Sequence, residues 1–431
     1  MFPSFSEMLR FGFSLVTGHL LARRAWRHIG LATILFVAVG WSSAAAADRG
    51  VSDHNGRLIE LDRSFQHLTN EDIAALTSHT SLRRLVLAGT NVGDGALTSL
   101  ADLRHLEYLD LSDTAITDRS LPAISHLRRL STLNLSNCAI TDASTTHIAY
   151  LTHLKQLYIG GTSLSDGGLA RLIASHSELT DLGIGNTTAS SRTAKSLSKM
   201  TRLSFIDVGG TKLSNDELLV LTSMPRLSRI IARDTPLDDE VAASLAEQLD
   251  LVAVDVGATA IGDYGVTRLC TEPLVTFYFS GTQVTDVGAS AITSCQTLEF
   301  VSADDTAISD ETIAGIAALP RLRLLSMNGT HARELTARAI GQNSSIISIE
   351  VARTRLLSSE FLQVASNMSL EEVNVSDTLF SRGNLLAFLR HPGLKRIFAA
   401  RTKLNRDDVK LFKVRRANEY PGHPFVFIDL F

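Results

Sequence analysis

Apolar residues recur along the chain at a fixed set of spacings. In one clear copy, Leu106, Leu109 and Leu111 precede a polar residue, Thr114, and Ile116 follows it. Successive side chains of a strand point to opposite faces, so the alternation around Leu109 and Leu111 is strand periodicity. This part of the pattern predicts a short strand with one buried face.

A second pattern follows each predicted strand. After Thr114 comes a Ser/Thr-Asp pair, here Thr117-Asp118, which is a typical helix start because these side chains accept hydrogen bonds from unpaired backbone N–H groups. Leu121, Ile124 and Leu127 then recur every three residues. The pattern predicts a short α-helix or 3₁₀-helix with one side turned inward.

The whole unit repeats in phase along most of the chain. We take its threonine as the reference position; the spacing is 24 residues throughout, except for one interval of 25 and one of 23. One unit cannot bury its apolar face alone, but stacked neighbours can. The reference positions are Thr90, Thr114, Cys138, Thr162, Thr187, Thr211, Thr235, Thr259, Thr282, Thr306, Thr330, Thr354, Thr378 and Thr402.

The recurring motif, L-x-x-L-x-L-x-x-T-x-[ILV]-[ST]-D, resembles the leucine-rich-repeat family, in its bacterial exported type. It departs from the family signature by placing Thr, and once Cys, where Asn or Cys is usual. The resemblance implies an α/β repeat fold: a horseshoe-shaped solenoid with a parallel concave sheet and short helices on the convex side. A Thr hydroxyl can still donate to a neighbouring loop carbonyl, although it offers fewer bonds than an Asn amide.

The motif sets the expected domain boundaries. Residues 48–81 hold a degenerate copy (Leu58, Leu61, Leu68), interpreted as an N-terminal cap, and residues 82–408 hold about fourteen units. Residues 409–431 leave the pattern and contain several phenylalanines. An open solenoid end exposes apolar surface, so we interpret this segment as a C-terminal cap.

Residues 1–47 differ from the rest of the chain. Three arginines, Arg23, Arg24 and Arg27, precede an apolar run and an Ala-rich stretch that ends at Ala47. This is the arrangement of a signal peptide, but the run is also near the length of a transmembrane anchor. Both interpretations place the remainder outside the cytoplasmic membrane, as a periplasmic, cell-surface or secreted protein, with membrane contact only through an uncleaved N-terminal segment.

Composition excludes several classes of function. Charge is nearly balanced, with 41 Lys+Arg against 45 Asp+Glu, which is not typical of a nucleic-acid-binding protein. No catalytic, nucleotide-binding or metal-binding motif occurs, so we expect no enzyme, cofactor or metal. A disulfide between Cys270 and Cys295 stays open, although three small buried thiols are the preferred interpretation.

A row of aspartates follows the reference positions and could be mistaken for calcium ligands. Because each lies at a predicted helix start, we interpret the row as helix caps. The row comprises Asp94, Asp118, Asp142, Asp166, Asp239, Asp263, Asp286 and Asp310.

The predicted binding surface is the outer side of the sheet, formed by residues six, four and two positions before each reference position. Aromatic and acidic side chains there are expected to face solvent, as binding hot spots often combine aromatic and polar groups. Glycines on this face either admit a close ligand or reflect the tight exit from the strand: Gly160, Gly183, Gly185, Gly209 and Gly257. The candidate partner-binding residues are Tyr108, Asp110, Tyr158, Phe205, Asp207, Asp255, Tyr278 and Phe300.

The sequence therefore favours a non-catalytic extracytoplasmic module that binds a protein or peptide through the concave face. A structural envelope protein without a discrete ligand and a saccharide-binding repeat protein remain alternatives. Similarity to the cysteine-containing repeats of F-box proteins would imply a substrate receptor, but the export segment and the lack of an F-box-like helical region count against it.

Overall fold

The computed structural model describes residues 49–430 of the 431-residue chain. The chain divides into two compact units at Thr235–Pro236. Each unit repeats one strand followed by one short helix, so the α/β leucine-rich-repeat architecture predicted from the sequence is confirmed. Residues 1–47, predicted as a signal peptide or membrane anchor, lie outside the described residues.

In the first unit, β1 is antiparallel to β2, and the strands from β2 onward are parallel in chain order. Short 3₁₀ segments cover Asp118–Ser120, Asp142–Ser144 and Leu219–Ser223. The strands are β1 (Arg49–Ser52), β2 (Leu58–Asp62), β3 (Arg84–Val86), β4 (Tyr108–Asp110), β5 (Thr132–Asn134), β6 (Gln156–Tyr158), β7 (Asp181–Gly183), β8 (Phe205–Asp207) and β9 (Arg229–Ile231). The helices are α1 (Asn70–Leu76), α2 (Asp94–Leu100), α3 (Leu121–Ile124), α4 (Thr145–Ala149), α5 (Asp166–Ala174), α6 (Ser191–Leu197) and α7 (Asn215–Leu218).

The second unit has the same organisation, with parallel strands in chain order. Its strands are β10 (Ala253–Asp255), β11 (Thr276–Tyr278), β12 (Phe300–Ser302), β13 (Leu324–Ser326), β14 (Ser348–Glu350), β15 (Glu372–Asn374), β16 (Arg396–Phe398) and β17 (Phe427–Asp429). Its helices are α8 (Asp239–Gln248), α9 (Asp263–Leu269), α10 (Asp286–Ile292), α11 (Asp310–Ala317), α12 (Glu334–Gln342), α13 (Ser358–Val364), α14 (Arg382–Ala387) and α15 (Arg406–Glu419).

Neighbouring strands pair residues that hold the same place in the repeat. Leu85 is opposite Leu109, which is opposite Leu133. The irregular intervals keep this rule, because Leu157 is opposite Leu182 and Asp255 is opposite Tyr278. The extra and missing residues are therefore absorbed outside the strands, and the same face of every strand stays buried.

The core of each unit lies between its strands and its helices. In the repeat around Thr114, Leu109, Leu111, Leu121 and Ile124 are all buried. A buried leucine side chain contributes roughly 1.5–3 kcal/mol relative to an exposed one. Stacking these layers therefore stabilises strands of three residues that would not persist alone.

A left-handed backbone position recurs in all fourteen repeats. The residue directly before each reference position has a positive φ, from 52° at Asp305 and Arg401 to 69° at Gly329. Glycine, Asp and Asn tolerate this region, and these types occupy eleven of the fourteen places. The sequence carries this signal, but the strand and helix patterns alone do not reveal it.

The aspartate row caps the next repeat rather than its own. The structure places Asp94 at the first residue of α2, and its carboxylate accepts hydrogen bonds from Thr117 N (2.8 Å), Thr117 Oγ1 (2.6 Å) and Ser120 Oγ. Asp166 likewise accepts from Ser190 N at 2.9 Å. The expectation that each aspartate caps its own helix was wrong. The residue before the helix occupies the cap position, and the aspartate at the first helical residue reaches the helix start of the next repeat.

The reference threonines also differ from the expectation of bonds to a neighbouring loop. Each hydroxyl donates to the carbonyl three residues earlier in its own repeat, as Thr90 Oγ1 does to Leu87 O at 2.6 Å. The cysteine is the exception, since Cys138 Sγ donates to Leu111 O of the preceding repeat at 3.1 Å. A short β-branched side chain reaches its own turn more easily than the next one.

A helix and a strand follow the last repeat. At the C-terminal end, α15 buries Phe412, and β17 pairs with β16. Phe425 and Phe427, however, are exposed, so only part of the predicted aromatic cap is packed. Among residues 49–430, no helix is both long and apolar enough to cross a bilayer.

Candidate partner-binding face

The candidate residues all lie on strands, on the side opposite the leucine core. We call this surface the sheet face: the side chains six, four and two positions before each reference position. The first unit carries Tyr108, Asp110, Tyr158, Phe205 and Asp207, and the second carries Asp255, Tyr278 and Phe300.

The expectation that these side chains face solvent was wrong for most of them. Phe205 and Phe300 are only 3% and 2% exposed, and Asp110, Tyr158 and Asp255 are buried as well. Parallel strands lie about 4.8 Å apart, so side chains on adjacent strands cover one another. Three candidates stay half-buried and offer atoms to a partner: Tyr108, Asp207 and Tyr278.

An aromatic cluster with an ion pair occupies the first unit's sheet face. The rings of Tyr158 and Phe205 lie 6.4 Å apart, centroid to centroid. The Arg229 guanidinium lies 5.2 Å from the Phe205 ring centroid and donates to Asp181 Oδ1 at 2.9 Å. Burial, followed by the charge of Asp181, raises the pKa of Tyr158, so its hydroxyl stays protonated. The cluster is thus a packed group of aromatic, cationic and anionic side chains.

A second group surrounds Tyr108. The Arg84 guanidinium lies 3.6 Å from the Tyr108 ring centroid, at the distance of a cation–π contact. On the same strand, Asp110 accepts from Ser112 N (2.9 Å) and Ser112 Oγ (2.7 Å). Burial raises the pKa of Asp110 although these hydrogen bonds favour its charged form. Arg84 and Asp110 therefore frame the Tyr108 ring with opposite charges.

The glycines of this face make room for neighbouring side chains. A Cβ atom on Gly183 would lie 2.9 Å from the Tyr158 ring, and one on Gly185 would lie 2.8 Å from Asp207 Oδ1. Both distances are too short for a real contact. These two glycines serve the packing of the cluster, which neither interpretation from the sequence anticipated.

In the second unit, the three candidates occupy consecutive strands. Asp255 accepts from Gly257 N at 3.0 Å and is opposite Tyr278 in the register of the sheet. Burial and the nearby Asp255 raise the pKa of Tyr278. Phe300 lies on the next strand, opposite Thr276.

A polar row that is not among the candidate residues continues along the second unit's sheet face. Asn328 Nδ2 donates to Asp304 Oδ2 (3.2 Å) and to Glu350 Oε2 (3.0 Å). Glu372 lies 3.4 Å from Arg396. Burial raises the pKa of both Glu350 and Glu372 to about 7, with Asp304 contributing at Glu350. The signal in the sequence was an acidic or amide residue at one of the outward positions of each successive repeat: two places before the reference position for Asp304 and Asn328, four for Glu350 and six for Glu372.

The described part of the chain contains neither a metal-binding cluster nor a disulfide bond. Residues 49–430 contain no group of three or more His, Cys, Asp or Glu side chains arranged to hold a metal ion. Cys270 and Cys295 are free thiols, and Cys295 Sγ donates to Cys270 O at 3.4 Å.

Comparison with known families gives the same result as the repeat geometry. A leucine-rich repeat region model matches residues 63–342, which is more than half of the chain. The chain belongs to the leucine-rich-repeat family. Repeat solenoids of this kind present extended surfaces for binding, and leucine-rich-repeat proteins are generally non-catalytic scaffolds for protein interaction. No curated protein matches this leucine-rich-repeat chain significantly.

Several solved structures are similar to this chain. An internalin from Listeria monocytogenes is 18% identical over 74% of this chain and 81% of its own, with a TM-score of 0.45. A leucine-rich-repeat protein from Leptospira interrogans is 15% identical over 86% and 95%, with a TM-score of 0.46. The ectodomain of an Arabidopsis receptor kinase, solved with a peptide hormone, is 14% identical over 84% and 77%, with a TM-score of 0.38.

Proposed function

We propose that this leucine-rich-repeat protein is a non-catalytic, extracytoplasmic module that binds a protein or peptide partner through its sheet face. The observation that carries the proposal is that Tyr108, Asp207 and Tyr278 stay half-buried on a sheet face that also holds the packed cluster of Tyr158, Phe205 and Arg229. Aromatic residues and arginine are the types most enriched at binding hot spots, which lie in well-packed, desolvated surroundings.

The fixed geometry of this face supports recognition of a partner. Arg229 is held by Asp181 at 2.9 Å, and Tyr108 is held under Arg84. Side chains that are already ordered lose little rotamer freedom on binding, a loss that otherwise costs about 0.5–1.5 kcal/mol for each side chain. The half-buried Tyr108, Asp207 and Tyr278 then supply the atoms that a partner touches first.

The extracytoplasmic location rests on the sequence of residues 1–47. Positive residues precede the apolar run, which keeps the N-terminal side in the cytoplasm and places the repeat array on the other side of the membrane. The array is then periplasmic, on the cell surface or secreted, whether the segment is cleaved or retained as an anchor.

The test is capture of a partner by the full chain from the envelope and secreted proteins of its source organism. A face variant carries Tyr108→Ala, Asp207→Asn and Tyr278→Ala. A matched control carries the same changes at Tyr150, Asp250 and Tyr264, which are exposed and lie in or beside the helices. Loss of about 2 kcal/mol, roughly thirtyfold in Kd, is expected for the face variant only.

Two outcomes oppose the proposal. Equal weakening by both variants would place the binding surface away from the sheet face. Failure of either folded protein to retain any partner would favour a structural envelope protein, whose sheet-face side chains merely bond to each other, as Asp304, Asn328 and Glu350 do.

A further inference from the structure

The residue type that precedes each helix is unusual in two adjacent repeats of the second unit. The residue three positions after the reference position precedes each helix and is Ser, Thr, Gly, Asp or Asn in twelve repeats. These are the residue types that cap helix starts. The two exceptions are adjacent, Arg333 and Leu357.

The side chains of these two exceptions do not cap their helices. Neither the Arg333 nor the Leu357 side chain makes a capping hydrogen bond. Leu357 is 42% exposed, and so is Leu379, at 46%. The backbone there is bonded by other residues instead: Asp310 accepts from Arg333 N at 2.7 Å, and Glu360 accepts from Leu357 N at 2.6 Å. The Arg333 and Leu357 side chains are therefore left free for contacts outside the helix starts.

The departures meet at one open groove of about 570 Å³, on the loops that follow the strands. It is lined by Arg333, Arg355, Leu357, Asp377, Leu379 and Arg401. Arg401 is paired with Asp377 through two hydrogen bonds. Neither Arg333 nor Arg355 forms an ion pair with any residue between 49 and 430, and both are exposed.

The charge of the groove opposes that of the chain. Three arginines against one aspartate make it positive, whereas the whole chain has a net charge of −4. An arginine fork binds a carboxylate through two parallel hydrogen bonds. The two exposed leucines between the arginines offer an apolar surface that a simple anion would leave uncovered.

We infer that this groove is a second docking surface, which binds an acidic protein segment carrying a large apolar side chain. Carboxylates of the segment pair with Arg333 and Arg355, and its apolar side chain covers Leu357 and Leu379. The chain's own N-terminal 47 residues do not suit this role, because they carry four arginines and a single acidic residue, Glu7. The groove lies off the sheet face, so its test is independent of the proposed function.

A random peptide library displayed on phage, selected against the full chain, provides the probe. The enriched peptides are expected to combine Asp or Glu with Leu, Ile or Phe. Arg333→Glu with Arg355→Glu should weaken their binding at least about tenfold, and added salt should weaken it further. The matched control, Arg321→Glu with Arg390→Glu, makes the same charge change at exposed residues outside the groove and should leave binding unchanged.

A second variant separates binding from folding. Leu357→Ser with Leu379→Ser should reduce peptide binding about tenfold. Because serine restores the usual helix cap at position 357, the free energy of unfolding should be unchanged or higher. Three results would overturn the inference: no enrichment over a blank support, enriched peptides without acidic residues, or equal binding to the serine variant. The last would indicate a general polyanion site, including one for nucleic acid.

Discussion

Removing one aspartate of the row tests how the repeats are joined. The carboxylate of Asp166 accepts backbone hydrogen bonds from Ser190 (2.9 Å), Arg192 (3.1 Å) and Thr193 (3.0 Å), all in the next repeat. Partial burial acts to raise the pKa of Asp166, but these hydrogen bonds outweigh it and lower the pKa to about 2. The charged carboxylate therefore stabilises the fold across a repeat boundary.

The size of the effect follows from that pKa. A shift from 3.8 to about 2 corresponds to roughly 2.4 kcal/mol at 1.36 kcal/mol per pH unit. Because Asp166 is partly exposed, solvent screening reduces this to about 1–2 kcal/mol, in the range measured for helix caps. The pKa is depressed in the folded state, so the stabilisation is complete above about pH 4 and is lost as the pH falls towards 2.

Urea-induced unfolding of Asp166→Ala, followed by circular dichroism, measures this difference. We expect a loss of about 1–2 kcal/mol at neutral pH that shrinks below pH 4. The control is Asp216→Ala, an exposed acidic residue in the first turn of α7, which should cost at most about 0.3–1 kcal/mol through the helix dipole. An equal loss in both variants, or a loss that does not depend on pH, would refute the cross-repeat account.

Three further changes probe the sheet face and the core. Glu350→Gln should raise the free energy of unfolding by roughly 1–3 kcal/mol above pH 7. Burial raises the pKa of Glu350 to about 7, so the unsubstituted protein loses stability as the pH rises from about 4.5 to 7. Urea unfolding of both proteins at about pH 4.5 and above pH 7 measures the difference, and a difference that does not change with pH would contradict the prediction. Gly185→Ala should lower the free energy of unfolding by about 1–3 kcal/mol, because its Cβ would displace Asp207. The control is Gly95→Ala, where a Cβ meets no atom within 4 Å, and it should be neutral or stabilising in the same assay. Equal losses in the two variants would contradict the packing argument. Phe361→Ala should cost about 3–5 kcal/mol because its fully buried ring packs edge-on against Phe380 at 5.1 Å, and a loss under about 1 kcal/mol in thermal or urea unfolding would contradict this.

The sequence predicts the repeat architecture because each repeat is a local unit. The alternation around Leu109 and Leu111 gives the strand, and Leu121 and Ile124 give the helix; all four side chains are buried as expected. Register follows from the same periodicity, since a slip of one residue would expose leucines such as Leu109.

The burial of the sheet face was not predictable in the same way. Phe205 is buried by contacts with Tyr158, two repeats before it, and Arg229, in the repeat after it. Their sizes and rotamers, rather than the strand pattern, decide whether the ring stays exposed. The role of the aspartate row was unpredictable for the same reason. The sequence shows each Asp at a helix start, but only the stacking of the repeats shows that Asp94 reaches Thr117.

The left-handed positions could have been found from the sequence. Asp113, Asn137 and Asn186 precede reference positions, as glycines do in other repeats, and all have positive φ. The basic groove was also visible as Arg333 and Leu357 at a cap position, but the neighbouring Arg401 comes from a later repeat and required the structure.

Photocrosslinking tests the central claim, recognition through the sheet face, most directly. The photoreactive residue benzoylphenylalanine replaces either Tyr278, on the sheet face, or Tyr264, an exposed tyrosine of α9, in the full chain expressed in its source cells. The account predicts a discrete crosslinked partner from position 278 and none from position 264. A partner crosslinked only from position 264 would contradict it and place recognition on the helices.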